Sequence, residues 1–225
     1  PIIARLNMTQ TSNNNDILLG TGNTAKQAML AELIEGLHIN PVAPQDLGLN
    51  SSPDETADSH EQVARDKAIR WSLDSGMLTI ATDGGLVIPV LGSKWESLFT
   101  HRFAGSSATD SDRVEALLKL MAPYKNDDRS ASWVEALAIA ENGNVLTSWS
   151  LEGASGLIAE HAGKNLTDHG FWVFSMWYFP RYQRTYDALT EPERSDLNDH
   201  WVQLKNLVHG YFLKTPRYNI PLRPN

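Results

Sequence analysis

ILLGTGNTAK, residues Ile17 to Lys26, runs from an apolar segment into small residues and ends on a lysine. Asp16 to Leu19 reads as a buried strand. Thr24 to Glu35 reads as a helix, with Ala25, Met29, Leu30, Leu33 and Ile34 at helical spacing. A strand that turns through small residues into a helix presents free backbone N–H groups and the positive end of the helix dipole, a setting suited to phosphate. Thr21, Gly22, Asn23 and Lys26 are the candidates to hold it, with Lys26 in the first helical turn. The bland alternative is a surface loop with a solvated lysine.

Three phosphate turns compete for this stretch. A P-loop needs Gly directly before its Lys and Ser or Thr directly after, whereas Ala25 and Gln27 flank Lys26. The dinucleotide spelling G-x-G-x-x-A fits Gly20, Gly22 and Ala25. That fold also wants an acid at the end of the second strand, about 20 residues on. HINPVAP, residues 38–44, supplies none, and Asp46 follows two prolines. The third is a different corner, with Asn23 taking left-handed or turn geometry.

The 225 residues are enough for one large domain or two small ones. A formal net charge of −8 argues against broad binding to nucleic acid, which needs a basic face. The absence of cysteine excludes disulfides, thiol catalysis and thiolate metal sites, and a cytoplasmic location is allowed. No apolar run is long enough to span a membrane, and the start of the chain does not read as a secretory signal.

Beyond the corner, His38 to Val42 reads as a second strand and Ser59 to Ser75 as a charged helix. Leu78 to Thr82 reads as a strand ending at an Asp83-Gly84-Gly85 turn, with Leu86 to Leu91 extended after it. Ala108 to Met121 has a helix start, with Thr109 or Ser111 as cap. Asn142-Gly143 between Trp133–Ala140 and Val145–Leu151 signals a hairpin. Phe171 to Phe179 is an aromatic strand candidate, and Glu191 to Leu213 reads as helix in one or two pieces. Early alternation and a late hairpin argue for an α/β protein with a mixed sheet. The expected layout is a polar lead over 1–15, one domain over 16–213 and an irregular tail over 214–225.

T-G-N-x-x-K after an N-terminal strand resembles the signature of the Ham1 family, the inosine/xanthosine triphosphate pyrophosphatases that remove non-standard purine nucleotides. Further marks follow in order. Glu55-Thr56, then Ala64, Lys67 and Ala68, resembles E-T-G-x-T-F-x-E-N-A-x-x-K-A. Ala81-Thr82-Asp83-Gly84-Gly85-Leu86 resembles A-D-D-S-G-L, and Thr100 to Gly105 resembles S-A-R-Y-A-G. Gly153 to Ile158, Trp172 to Tyr178 and Thr185 to Leu189 resemble E-G-x-x-x-G-x-I, F-G-Y-D-P-I-F and T-F-A-E-L.

The resemblance implies a Ham1/Maf-like fold, a mixed twisted sheet with flanking helices in two lobes around a central cleft. It implies a homodimer that uses Mg²⁺ to cleave a nucleoside triphosphate into monophosphate and pyrophosphate. It makes Asp83 the general base, close to the metal, and Glu55 a metal ligand. The departures cluster. Thr82 and Gly84 replace an aspartate and a serine, and Ser175 stands at the aspartate of F-G-Y-D. Arg194 matches the lysine of E-E-K-N, and Asn198-Asp199-His200 matches the S-H-R used around the purine. Gly84, Trp172, Ser175, Arg194 and His200 complete the expected substrate contacts. The phosphate half reads as kept and the base half as rewritten. A changed substrate range, a nucleotide-binding relative without activity, and an NAD(P)-binding Rossmann protein are the alternatives. Lone His60 and His101 read as structural or exposed.

Overall fold

The computed structural model describes residues 15–50, 57–105, 107–161 and 171–216. Residues 1–14 of the expected lead, most of the expected tail and Glu55 lie outside them.

Strand β1 (Asp16–Leu19) leads into helix α1 (Thr24–Ile34), β2 (Asn40–Val42), α2 (His60–Ser75) and β3 (Thr79–Val87). β1 lies between β2 and β3 and runs parallel to both. After α3 (Asp110–Met121) the chain forms β4 (Ser130–Glu141), β5 (Asn144–Ile158), β6 (Trp177–Phe179) and β7 (Arg184–Thr185), each antiparallel to its predecessor in the sheet. Helices α4 (Glu191–Leu197) and α5 (His200–Lys214) follow. The result is the mixed sheet expected, in the order β2-β1-β3-β4-β5-β6-β7.

Two faces of the sheet are packed differently. On one, Ala64 and Ala68 of α2 meet Ala81, Ala136, Ala138 and Ala140, small side chains that let the helix approach closely. On the other, α1 and α5 bury Leu30, Leu33, Leu204, Val208 and Phe212 against Ile80, Leu137 and Ile139. A second large cluster, rich in tryptophan, surrounds Leu86, Trp133 and Trp177.

Three expectations are corrected. Asp83-Gly84-Gly85 is not a turn: β3 runs straight through it, paired with Ala136, Glu135 and Val134 of β4. The glycines are there for room. A Cβ on Gly84 would lie 2.0 Å from Glu135 Oε2, and one on Gly85 would lie 1.9 Å from Ser97 O. Residues Pro89–Lys94 form 3-10 turns where an extended segment was expected, with Pro89 starting the first. The aromatic stretch is a 3-10 turn over Trp172–Ser175 before the short β6, because buried residues on every side erase the strand period. The Asn142-Gly143 hairpin is present, with φ of 51° and 78°, the left-handed pair such a turn requires.

The feature that positions the site is a length mismatch. β1 pairs with β3 only as far as Leu19 and Ile80, so Ala81 to Val87 run on past its end. Gly20 N–H donates to Ile80 O, the Leu86 carbonyl accepts from Trp95 Nε1, and the Leu86 N–H donates to Thr100 Oγ1. Backbone groups alternate sides along a strand, so Thr82 and Gly84 turn theirs to this same edge. A notch opens there, walled by the corner that leads into α1.

Candidate active site

The corner is built by Asn23. It caps α1, its Oδ1 accepting from Ala25 N at 2.9 Å and Lys26 N at 3.2 Å. Its backbone is extended, with φ −82° and ψ 115°, so of the left-handed and turn geometries expected the left-handed one is not adopted, and the side chain closes a turn onto Ala25 N instead. Its own N–H donates to Thr21 Oγ1, and Gln27 Nε2 holds Thr21 O at 2.8 Å. The loop is therefore fixed by hydrogen bonds among its own residues before any ligand arrives. No acid stands in the first turn of α1 to compete for an anion.

Across the notch stands Asp83, 8% exposed. Its Oδ1 accepts from Lys67 Nζ at 2.8 Å and its Oδ2 lies 2.7 Å from His60 Nδ1. Burial pushes this carboxyl up, but the His60 hydrogen bond and the Lys67 and Lys26 ammoniums outweigh it and hold Asp83 below the ordinary carboxylate range. An ionised carboxylate only accepts, so His60 donates from Nδ1. His60 Nε2 lies 3.0 Å from Ser97 Oγ, which gives α2 a tie to the turn over Ser97–Arg102.

A cleft of about 240 Å³ joins these pieces. Thr21, Asn23, Lys26, Lys67, Asp83 and Gly84 line one end of it. Leu98, Thr100 and Arg102 line it from the Ser97–Arg102 turn, and Trp133, Phe171, Trp172 and Val173 make an aromatic wall. One cation-rich end and one apolar end is a shape suited to a phosphorylated aromatic ligand.

The family model described as the Ham1 family matches residues 17–208. The chain belongs to the Ham1 family. It is 32% identical over 196 residues to a dITP/XTP pyrophosphatase of Coxiella burnetii, covering 85% of this chain and 94% of that protein. It is 29% identical over 194 residues to the dITP/XTP pyrophosphatase of Escherichia coli K12, covering 85% and 95%. A Ham1 protein structure from Coxiella burnetii superimposes with a TM-score of 0.72 at 28% identity, over 87% of this chain and 98% of that one.

Within this Ham1 chain, Thr21, Asn23, Lys26, Asp83, Gly84 and Trp172 meet in the cleft. Gly22 is exposed beside it. The remaining expected substrate contacts do not line it. Ser175 is buried and donates its hydroxyl to Trp172 O at 2.7 Å. Arg194 lies over the Tyr186 ring in a separate groove with Met29, Glu32 and Lys205. His200 is fully buried, stacked between Trp133 and Tyr186 at 5.6 and 5.9 Å, with no hydrogen-bond partner for either ring nitrogen among the described residues. Burial, reinforced by Arg194, pushes its pKa down to about 3, so it is neutral.

Two side chains that hold Asp83 are not among the candidates the sequence suggests, His60 and Lys67. Both carried a signal. They are seven residues apart, two helical turns, and so share one face of α2, and Lys67 stands at the lysine of E-N-A-x-x-K-A. As a lone histidine, His60 reads as structural or exposed from the sequence alone. A third residue, Glu135, carried none: its carboxyl lies over Gly84, accepts from Trp133 Nε1 at 2.7 Å and leaves Oε1 without a partner among the described residues. Burial raises it, and Lys26 and the Trp133 bond offset only part of that.

Proposed function

We propose that the chain is a nucleoside triphosphate pyrophosphatase acting on inosine- and xanthosine-type triphosphates, as the names of its relatives suggest. The observation that carries this is Asp83, held ionised by two donors in the same cleft as Lys26 and the capped start of α1. A water oxygen bonds to the α-phosphorus while the bridging P–O bond to the β-phosphate breaks. The bond pair leaves on pyrophosphate and the water proton passes to Asp83. Lys26 and Lys67 hold the phosphate oxygens and oppose their charge, with the positive end of the α1 dipole behind them. Thr21 and Asn23 keep that corner in shape.

Among the described residues no three His, Cys, Asp or Glu side chains stand together as a metal site. Asp83 is the carboxylate that lines the cleft. One or two carboxylates with phosphate oxygens and water are what Mg²⁺ accepts, so the donor set fits an ion that arrives with the triphosphate. Asp83, with Glu55, would hold it, and it would neutralise phosphate charge. We further propose a homodimer that cleans the cytoplasmic nucleotide pool. Among the described residues no helix is long and apolar enough to cross a membrane.

The test is pyrophosphate release from ITP and XTP with and without Mg²⁺. Turnover with Mg²⁺ supports the reading. Binding without turnover of any triphosphate favours the inactive relative. The nicotinamide reading gains nothing from a sheet whose later strands are all antiparallel, and a lack of NADPH fluorescence enhancement on mixing would close it.

A further inference from the structure

A closed path of hydrogen bonds ties the turn over Ser97–Arg102 to β3. The Leu86 N–H donates to Thr100 Oγ1 at 3.2 Å, and the Thr100 hydroxyl donates to Ser97 O at 2.7 Å. Ser97 then turns its side chain to the first residue of α2, where its Oγ lies 3.0 Å from His60 Nε2. His60 Nδ1 returns to the strand at Asp83 Oδ2, 2.7 Å away. The path leaves β3 at Leu86 and re-enters it at Asp83. Gly85 makes it possible: Ser97 O sits so close over it that an added Cβ would lie 1.9 Å away. Any side chain at that position would push the turn off the strand and carry Ser97 Oγ away from the imidazole.

The path fixes a ring that packing alone leaves undecided. An imidazole and its image after a half-turn about the Cβ–Cγ bond have nearly the same shape, so a buried site accepts both. Only one of them aims Nδ1–H at Asp83, because the half-turn puts carbon atoms where both nitrogens stood. A partner at Nε2 tells the two apart. A hydroxyl both donates and accepts, so Ser97 holds the ring in either of its protonation forms. Ser97 is itself held through its carbonyl by Thr100.

We propose that Ser97 is a positioning residue for the pyrophosphatase reaction: it pins the far side of the His60 ring, keeping Nδ1–H on Asp83 Oδ2 and the carboxylate aligned in the cleft. The inference rests on the pyrophosphatase reading above and acts through Asp83, which lines the cleft. Ser97 also starts the turn that brings Leu98, Thr100 and Arg102 to the same cleft. One residue therefore sets the group that takes the water proton in register with the wall opposite it.

The test compares the full chain with Ser97→Ala and Ser97→Thr on ITP with Mg²⁺. The alanine variant keeps the carbonyl that anchors the turn and loses only the pin. It lowers kcat by about 3–10-fold, the scale of one hydrogen bond, with KM unchanged. Ser97→Thr keeps a hydroxyl and restores the rate. A KM that rises at unchanged kcat, or a loss that threonine does not restore, would show that Ser97 only shapes the cleft and overturns the proposal. Nitrogen–proton NMR reads the ring directly. The Nδ1 proton of His60, identified by its loss in His60→Gln, gives a resolved resonance in the wild type and in Ser97→Thr and is broadened or absent in Ser97→Ala. The same sharp resonance in Ser97→Ala would mean that packing holds the ring without the serine. This readout needs no turnover. A resonance lost in Ser97→Ala while no chain cleaves ITP would leave the alignment of Asp83 by Ser97 standing and remove the pyrophosphatase reading. Cleavage of ITP at equal kcat by all three chains would do the reverse.

Discussion

Asp83 concentrates the chemistry, and its environment sets three expectations at the level of single side chains. As the group that takes the water proton, Asp83→Asn lowers kcat by about 10²–10⁴-fold and leaves the circular-dichroism spectrum intact. His60 donates one of its two hydrogen bonds, and a bond to a charged group is worth about 1.5–3 kcal/mol, or roughly 10–100-fold in rate. His60→Phe, the residue of the family motif, and His60→Gln lose the donor at Nδ1, so kcat drops by that factor. His60→Asn keeps a donor at the same place and retains most of the rate; equal losses in all three would show that the imidazole only packs. Glu135 is raised by burial, so it still holds its proton where the unfolded chain has released it. For a raised carboxyl, the contribution to stability is complete below the unfolded pKa and is lost as pH rises toward the folded one. The melting-temperature difference between Glu135→Gln and wild type therefore grows in the variant's favour as pH rises above the ordinary carboxylate range; a constant difference would mean Glu135 titrates normally. Of these groups, Asp83 was legible in its motif. Glu135 was not, since its partner Gly84 is remote in sequence and strand register joins them.

At the level of elements, caps and periods decided what was legible. α1 and α2 are legible almost to the residue because Asn23 and Ser59 precede clear apolar spacing and Gly76 ends the second helix. The full length of β3 is hidden in the sequence because two consecutive glycines look like a turn. Their role depends on Glu135 and Ser97, which approach from elsewhere. The aromatic segment before β6 failed for the opposite reason, since residues buried all round carry no period. The corner itself makes a separate prediction. Asn23→Ala removes the acceptor for Ala25 and Lys26 N–H, costs about 1 kcal/mol and lowers the melting temperature by about 2–4 °C. It also weakens inorganic triphosphate binding, measured by calorimetry. Unchanged affinity would mean the corner does not hold phosphate.

At the scale of the whole molecule, the cleft exists because a four-residue strand stands beside a nine-residue one. That mismatch leaves the edge of β3 open where the first helix begins, and it brings a loop from the start of the chain to a carboxylate near its middle. The order of motifs along the chain pointed to this convergence. The filling of the base side did not follow from it, because Trp133, Tyr186 and His200 come from three separate segments and meet only in the folded core. The measurement that bears most directly on the account is phosphorus NMR of ITP incubated with the purified chain and Mg²⁺. The account predicts inosine monophosphate and pyrophosphate as the first products, formed together and in equal amounts. Release of inorganic phosphate with inosine diphosphate, or an unchanged ITP spectrum, would contradict it.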